Sequence, residues 1–236
     1  MQRTLDKLAA GEHVTIVALG DSITHTTFHT QGRMNWVQLL EEGIFETYGN
    51  GLCTLINAGR CGGGIVEASE RFARDVARFT PDLVIVAMGM NDATQGTAGL
   101  PAFRATYREL IARIRELDAD VLLRTPNPVV TVHGLPLPPE QPRPNRPYNT
   151  DRRPLANYAA AIVDLAAELH CPVVDHYTLW TTKVYHVPNP VADPQGLWLR
   201  MNDAIHPSAQ GHLAFYRELA PLFHLSPTFP WEDIPS

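Results

Sequence analysis

Short apolar runs alternate with helix-length amphipathic segments along almost the whole chain, and no other feature restricts the possible folds as strongly. The runs are nearly continuous in apolar residues, as strands covered on both faces are, and they lie at 14–20, 53–59, 83–89, 120–126 and 171–175. Apolar side chains recur at helical spacing in five further segments, at 34–48, 65–79, 100–117, 154–170 and 208–220. The pattern predicts an α/β fold in which helices cover both faces of a parallel sheet of about five strands.

Polar or small residues follow three of these strands directly. Ser22, Gly59 and Asn91 each come where a predicted strand ends or just after it. Ligands of open parallel sheets bind outside the carboxyl ends of the strands. The predicted fold therefore gathers these three residues on one rim of the sheet.

The segment 126–154 interrupts the alternation of strands and helices, because it holds nine of the 20 prolines. Proline lacks a backbone donor and fits neither a helix interior nor a central strand. Two interpretations are equally open: a partly ordered loop over the rim of the sheet, or a surface loop without a role. With no repeat or second domain evident, residues 1–236 are expected to form one domain, whose tail at 225–236 packs on that domain or on a neighbour.

Charge and cysteine content argue against several classes of protein. A formal net charge of −6 does not suit nucleic acid or an anionic membrane as partner, because both require clustered Lys and Arg. The three cysteines show no CxxC spacing, which argues against a disulfide framework and a zinc site. The N-terminal segment has no apolar signal-peptide core, and no apolar run is long enough to cross a bilayer. We therefore expect a cytoplasmic protein.

A serine near the start of the chain and an aspartate–histidine pair near its end are the candidate catalytic groups. Ser22 lies in "VALGDSITH", and a serine hydroxyl becomes a nucleophile only when a positioned base takes its proton. Asp203 and His206 in "MNDAIHPSAQGH" are three residues apart, close enough for the carboxylate to reach the imidazole and fix its tautomer. Pro207 disfavours helical geometry at His206 and suits the start of the next helix. Taken alone, the pair more often indicates an aspartate that caps a turn and a histidine at the surface.

Candidate donors for a developing oxyanion accompany these groups. Gly59 in "NAGRCGGG" has no Cβ to hinder approach to its N–H, and Asn91 in "GMND" offers a neutral amide donor. The N–H of Ser22 is a third donor if the serine opens a helix, where N–H groups lack intrahelical acceptors. Taken singly, Gly59 is equally explained as a turn glycine and Asn91 as an Asx-turn residue.

The four blocks "GDSIT", "NAG", "GMND" and "DAIHP" occur in this order, and together they resemble the SGNH-hydrolase (GDSL-type lipase-esterase) family over residues 14–220. The resemblance implies a flavodoxin-like three-layer α/β/α sandwich and an ester-bond hydrolase that needs no cofactor. It also implies that Asp21 is a buried carboxylate supporting the serine turn. The hydrolase signature G-x-S-x-G is not met, because Thr24 occupies the place of its second glycine.

The same resemblance implies a role for each candidate residue. Ser22 is the implied nucleophile, His206 the general base and then acid, and Asp203 the carboxylate that orients the base. The implied oxyanion hole consists of the N–H groups of Ser22 and Gly59 and the side chain of Asn91. These roles are expectations that the structure must support with geometry.

Other reactive side chains near these blocks call for separate expectations. His29 is expected at the surface, whereas His25 either lines the substrate pocket or lies at the surface. No carboxylate is near this pair in the sequence, so no metal site is expected. Cys61 is expected to be a packed small residue, since no second base pairs with it. His212, inside the last predicted helix, is not expected to be catalytic.

The sequence says less about the substrate than about the type of reaction. Short-chain carboxylic esters, among them O-acetyl groups on small carbohydrates, are favoured because no amphipathic segment indicates work at a lipid interface. Tyr177 and Trp198 are candidate pocket residues that stack on a sugar or aryl group, with core packing as the alternative for each. The other functions to separate are a lysophospholipase- or thioesterase-type acylhydrolase, an acyltransferase with the same triad and a non-catalytic binding protein. The expected partner is a small-molecule ester, and the oligomeric state is left open.

Overall fold

Five parallel strands form the centre of the protein in a computed structural model that describes residues 1–129, 154–182, 200–203 and 205–229. The strands are β1 (Val14–Gly20), β2 (Cys53–Gly59), β3 (Leu83–Ala87), β4 (Asp120–Arg124) and β5 (Val173–Val174). Their order across the sheet is β2-β1-β3-β4-β5, and every neighbouring pair is parallel. The predicted fold class is confirmed, with β3, β4 and β5 shorter than expected.

Helices connect the strands close to where the periodicity predicts them. Four of the five predicted helices have nearly the expected bounds, while α1, α2 and α8 were not predicted. Within the described residues the helices are α1 (Gln2–Ala9), α2 (Ser22–His25), α3 (Trp36–Tyr48), α4 (Ile65–Glu70), α5 (Phe72–Asp75), α6 (Leu100–Glu116), α7 (Leu155–Glu168), α8 (His176–Thr182) and α9 (Ala209–Leu219). Among these described helices, none is long and apolar enough to cross a membrane.

The order of the strands separates the helices into two layers. The chain moves from β1 to β2 in one direction along the sheet and reaches the later strands in the other direction. Right-handed crossovers then place α3 on one face and α4, α6 and α7 on the other. Consistently, α9 packs on α3, and α6 packs on both α4 and α7. The buried strands β1 and β3 lie between these layers.

The helix predicted at 65–79 differs most from the structure, because it breaks into three pieces. It consists of α4, α5 and a 3₁₀ turn at Ala77–Phe79. Arg71 stands between α4 and α5, and its buried guanidinium donates to the carbonyl oxygens of Ala58 at 2.7 Å and Gly20 at 2.9 Å. These tertiary hydrogen bonds, at the ends of β2 and β1, override the local helical preference.

The register of the sheet aligns the residues that precede the candidate site. Gly20, the last residue of β1, pairs with Gly59 at the end of β2 and with Ala87 at the end of β3. The connection after β1 runs to one side of the sheet and the connection after β3 to the other, so a crevice lies between these two strands. Ligands of open parallel sheets bind in such crevices. The sheet therefore delivers Ser22, Gly59 and Asn91 to one rim.

Part of the proline-rich segment and of the tail lies outside the described residues. Only 126–129 and 154 of the segment 126–154 are described, so both interpretations of this loop stay predictions. Of the tail, residues 225–229 are described, and Phe229 is buried with its ring stacked on Tyr216 at 4.5 Å. The described part of the tail thus packs on its own chain, while the prediction of a single domain stays open.

The contact between α3 and α9 gives a stability prediction. Alanine normally stabilises a helix interior relative to glycine by about 1 kcal/mol. A Cβ at Gly43, however, would lie 2.6 Å from the hydroxyl and 2.8 Å from the ring of Tyr216, a buried side chain whose hydroxyl donates to Ser226. We expect Gly43→Ala to lower the free energy of unfolding by about 1–3 kcal/mol, measured by urea unfolding. Thr47→Ala on the exposed face of α3 is the control, expected within about 0.5 kcal/mol of wild type; equal stability of both variants would contradict the prediction.

Candidate active site

Ser22 begins a short helix directly after β1. Asp21 adopts an extended conformation, and its carboxylate accepts a hydrogen bond from the N–H of Ile23 at 2.9 Å, which caps α2. The carbonyl of Asp21 accepts from Thr24 and His25. Because Ser22 is the first residue of α2, its own N–H lies among the helix N–H groups that lack an intrahelical acceptor. The sequence "GDSIT" thus presents both a hydroxyl and a backbone donor at the rim.

Asp203 organises the loop that carries His206. One carboxylate oxygen accepts from the N–H groups of Ile205 and His206, both at 2.7 Å. The other lies 2.9 Å from His206 Nδ1. Asp203 is only 3 % exposed, so these donors compensate for the loss of water around its charge. The three-residue spacing therefore fixes the loop backbone and the ring of His206 with one side chain.

Ser22, His206 and Asp203 form a continuous hydrogen-bonded series. His206 Nε2 lies 2.9 Å from Ser22 Oγ, although the two residues are 184 positions apart in sequence. With Nδ1 donating to the carboxylate, Nε2 is left as an acceptor for the serine proton. The arrangement can generate a serine nucleophile. The structure brings together the three residues named from the sequence.

Two asparagines that the sequence analysis missed hold the histidine loop in place. Asn127, just after β4, donates to the carbonyls of Ile205 at 3.1 Å and Pro128 at 2.9 Å and is 1 % exposed. The backbone N–H of Asn202 donates to the carbonyl of His206 at 2.8 Å. An asparagine beside prolines is typical of a turn, so no pattern in the sequence indicated the contact between Asn127 and Ile205.

Gly59 lies at the rim, but its N–H is already engaged. It donates to the side-chain oxygen of Asn57 at 3.0 Å, and the Asn57 amide donates to the carbonyl of Thr24 at 2.7 Å. A Cβ at Gly59 would meet the backbone of His25 at 2.4 Å. The close packing of two backbones thus explains this glycine directly, and its role as an oxyanion donor stays a prediction.

Asn91 follows β3 and precedes the 3₁₀ turn at Asp92–Gln95. Its amide nitrogen donates one hydrogen bond to the carbonyl of Gly63 at 3.0 Å. This hydrogen bond fixes the orientation of the side chain at the rim, and the role of Asn91 as an oxyanion donor stays a prediction. Asp92, the next residue, accepts from the N–H of Ile65 at 2.8 Å and anchors the start of α4.

The carboxyl of Asp21 is buried beneath the nucleophile. Burial raises its pKa to about 6. The N–H of Ile23 and the neighbouring His206 and Arg124 act in the opposite direction, while the nearby Asp92 acts in the same direction as burial. Desolvation is the largest cause, since removal from water disfavours the charged form. Asp21 is therefore both a structural cap and a group that titrates in a physiological range.

The buried guanidinium of Arg124 lies near Asp21. Arg124 ends β4 between the rings of Trp36 and Phe215, 4.2 and 4.3 Å from their centres, and burial lowers its pKa to about 9. Its Nε donates to His176 at 2.9 Å, and the other nitrogen of His176 contacts Glu218 at 2.5 Å. Arg124 therefore compensates part of the negative charge under the serine turn.

A small cavity connects Arg124 with the serine turn. Its lining includes Asp21, Thr24, Arg124 and Asn127. Three polar atoms of these residues, Thr24 Oγ1, Arg124 Nη1 and Asn127 Oδ1, are buried without a hydrogen-bond partner among the described residues. The sequence offered one signal for this network, an arginine at the end of the apolar run "DVLLR".

Two expectations about side chains near the site are wrong. His29, expected at the surface, lies with its ring stacked on His206, the centroids 3.8 Å apart. Cys61, expected to be packed, is exposed. His25 is exposed, which leaves its pocket role a prediction. A loop between predicted elements has no periodicity from which such orientations can be read.

Three other residues were considered from the sequence: Tyr177, Trp198 and His212. Tyr177 is half-buried in α8 and donates its N–H to Thr125 at 2.9 Å; it follows β5, three strands from β1 or about 14 Å along the sheet. Trp198 lies outside the described residues. His212 is buried in α9, accepts a hydrogen bond from the N–H of Trp36 at 3.1 Å, and has its pKa lowered to about 3 by burial.

The raised pKa of Asp21 predicts a pH-dependent stability. Between about pH 4 and 6 the folded protein holds a proton on Asp21 more readily than the unfolded chain, so the free energy of unfolding falls as pH rises through this window. Asp21→Asn removes the titration and keeps an oxygen for the N–H of Ile23. We expect the variant to gain up to about 3 kcal/mol over wild type between pH 4 and pH 7, measured by urea unfolding at each pH. Asp164→Asn, at an exposed position, should show no such trend, and an equally flat difference for Asp21→Asn would refute the expectation.

Comparison with known proteins supports the same fold. A crystal structure of a catalytic mutant of an acetylxylan esterase from Geobacillus stearothermophilus is 21% identical, with a TM-score of 0.68 over 93% of this chain and 98% of that chain. A lipase/acylhydrolase from Enterococcus faecalis is 21% identical, with a TM-score of 0.66 over 92% and 99%. An acetyl xylan esterase, AlAXEase, is 20% identical, with a TM-score of 0.67 over 89% and 99%. No curated protein sequence matches the chain.

A family-level match extends over most of the sequence. Residues 18–214 match the GDSL-like Lipase/Acylhydrolase family, a span that includes all the residues of the hydrogen-bonded series. The match agrees with the resemblance carried by the four sequence blocks and with the parallel sheet. The chain therefore belongs to the GDSL-like lipase/acylhydrolase family and is an ester-bond hydrolase.

Proposed function

We propose that the protein is a serine esterase that hydrolyses short-chain carboxylic esters through an acyl-enzyme on Ser22. The observation that carries this proposal is the series Ser22 Oγ–His206 Nε2–His206 Nδ1–Asp203, with both hydrogen bonds at 2.9 Å. Nucleophile, base and orienting carboxylate are thus within hydrogen-bond reach of one another, as covalent acyl transfer requires.

The proposed reaction proceeds in two steps. Ser22 Oγ attacks the ester carbonyl while His206 Nε2 takes its proton, and the resulting imidazolium is stabilised by Asp203. The alcohol then leaves with the proton from His206, and the acyl group remains on Ser22. In the second step His206 removes a proton from water, the water oxygen attacks the acyl carbon, and the acid is released with Ser22 regenerated.

The oxyanion of each step is assigned to the backbone N–H of Ser22 and the side-chain amide of Asn91. Gly59 is the third donor predicted from the sequence, and it must release Asn57 to act. In the turn that follows, Arg60 N and Gly63 N are bonded to Gly20 and Arg60. Among the described residues of this turn, the N–H groups of Gly62 and Gly64 have no hydrogen bond to another described residue, so either is an alternative third donor.

Acetyl groups on small carbohydrates are the substrate class that we favour. Two of the similar structures are described as acetylxylan esterases, and this is the support for the acetyl group. Phe28, 54 % exposed, meets His29 edge-on at 5.1 Å and offers a ring face beside the series on which a sugar can stack. A cytoplasmic location and the pocket roles of His25, Tyr177 and Trp198 stay predictions.

A panel of esters tests the function. We expect p-nitrophenyl acetate and acetylated monosaccharides to be hydrolysed with higher kcat/KM than p-nitrophenyl palmitate, and Ser22→Ala to lose about 10⁴-fold or more of kcat. An organophosphonate should label wild type and not Ser22→Ala. Unchanged hydrolysis by Ser22→Ala would refute the mechanism, absence of labelling would favour a binding protein, and acyl transfer to an added sugar in place of hydrolysis would indicate a transferase.

The oxyanion assignment gives a second test. Asn91→Ala removes a donor that acts only when negative charge develops, so we expect kcat to fall about 10²–10³-fold with little change in KM. Gln95→Ala removes an exposed amide from the adjacent 3₁₀ turn and should keep wild-type kcat. Steady-state kinetics with p-nitrophenyl acetate measures both, and an Asn91→Ala enzyme with wild-type kcat would rule out this donor.

A further inference from the structure

His29 covers one face of the proposed general base. The rings of His29 and His206 are parallel within 2°, and their centroids are 3.8 Å apart. Both side chains are 14 % exposed. The contact therefore joins two largely covered imidazoles face to face, directly beside the hydrogen bond that Ser22 donates to His206.

The edge of the His29 ring is held by a neutral donor. The amide nitrogen of Asn202 lies 3.0 Å from His29 Nδ1, and an amide NH₂ can only donate. His29 Nδ1 is then an acceptor and its ring proton is on Nε2. The carboxylate of Asp203 is 3.6 Å from the same nitrogen, beyond hydrogen-bond distance. Asp203 thus stays committed to His206, and His29 acts through its face.

The loop that carries His29 is closed on itself. Thr30 is 1 % exposed, and its hydroxyl lies within hydrogen-bond distance of two carbonyl oxygens, that of Thr27 at 2.8 Å and that of Arg33 at 2.5 Å. Phe28 packs its ring at 89° to that of His29. Neighbours along the chain therefore restrain the position of His29.

A metal site is the competing interpretation of this cluster, and the ring geometry argues against it. Ligand atoms of His29, Asp203 and His206 lie within 4.8 Å of one another. An imidazole binds a metal through a lone pair in the ring plane, at about 2.0–2.1 Å for zinc. The lone pairs of two stacked rings run in parallel planes, so one ion cannot lie in both. The stack fits a packing contact and does not fit a shared ion.

We propose that His29 is a positioning residue for the esterase reaction, and this inference rests on the proposed function. Hydrogen bonds at Nδ1 and Nε2 hold two points of the His206 ring, but tilting about the line through those points changes both bonds little. A flat ring against one face blocks that tilt, so Nε2 stays aligned with Ser22 Oγ while the proton moves. Alignment of this kind acts on the chemical step.

Matched variants at position 29 test the proposal. His29→Ala removes the stacked face, and we expect kcat for p-nitrophenyl acetate to fall about three- to tenfold, the range to which the energy of an aromatic pair converts, with KM unchanged. His29→Phe restores a flat face without ring nitrogens and should return kcat to within about twofold of wild type. His13→Ala, an exposed histidine before β1, is the matched control and should keep wild-type kcat.

A second readout does not depend on turnover. The proton between His206 Nδ1 and Asp203 gives a low-field NMR signal, which should be broadened in His29→Ala and retained in His29→Phe. Wild-type kcat in His29→Ala, or an His29→Phe variant as slow as His29→Ala, would overturn the proposal. A wild-type protein without esterase activity would instead refute the proposed function, and the NMR comparison would still decide whether His29 orders His206.

Discussion

The parallel pairing of β1 with β2 and β3 is the constraint from which the site follows. It places Gly20, Gly59 and Ala87 in one row, so the residues that follow each strand meet at one rim. Ser22 and Asn91 are held there by backbone pairing between buried strands, which is among the least mobile parts of a fold. A shift of one strand would turn its side chains to the opposite face. Catalytic placement at this rim is thus a consequence of core packing.

Two buried aspartates at the rim are treated differently by their surroundings. Asp203 accepts from two backbone N–H groups and from His206, so its charge is well compensated. Asp21 accepts one backbone hydrogen bond and has its pKa raised by burial, with the nearby Arg124 in partial opposition. Charged groups arranged for function commonly lower the stability of the folded protein. The unfavourable free energy of burying a carboxylate is therefore concentrated at Asp21.

The sequence could predict what periodicity and local spacing determine. Buried strands appear as apolar runs, and the Asp203–His206 pair is a local turn whose geometry follows from three-residue spacing. What could not be predicted depends on long-range contacts. Arg71 divides a periodic helix because its guanidinium reaches the ends of two strands, and His29 leaves the surface because His206, 177 positions later in the chain, offers a ring face. Single-sequence patterns do not contain such pairings.

The proposed nucleophile and the proposed base are positioned by separate parts of the chain, and their alignment depends on the contact between those parts. Ser22 is fixed by β1 and its cap, whereas His206 is fixed by its own loop and by the start of α9. His212 ties α9 to the start of α3 through the N–H of Trp36. A displacement of about 1 Å between reacting groups can cost about 10²-fold in rate. Buried residues of the α3–α9 contact therefore help to set where the proposed base meets Ser22.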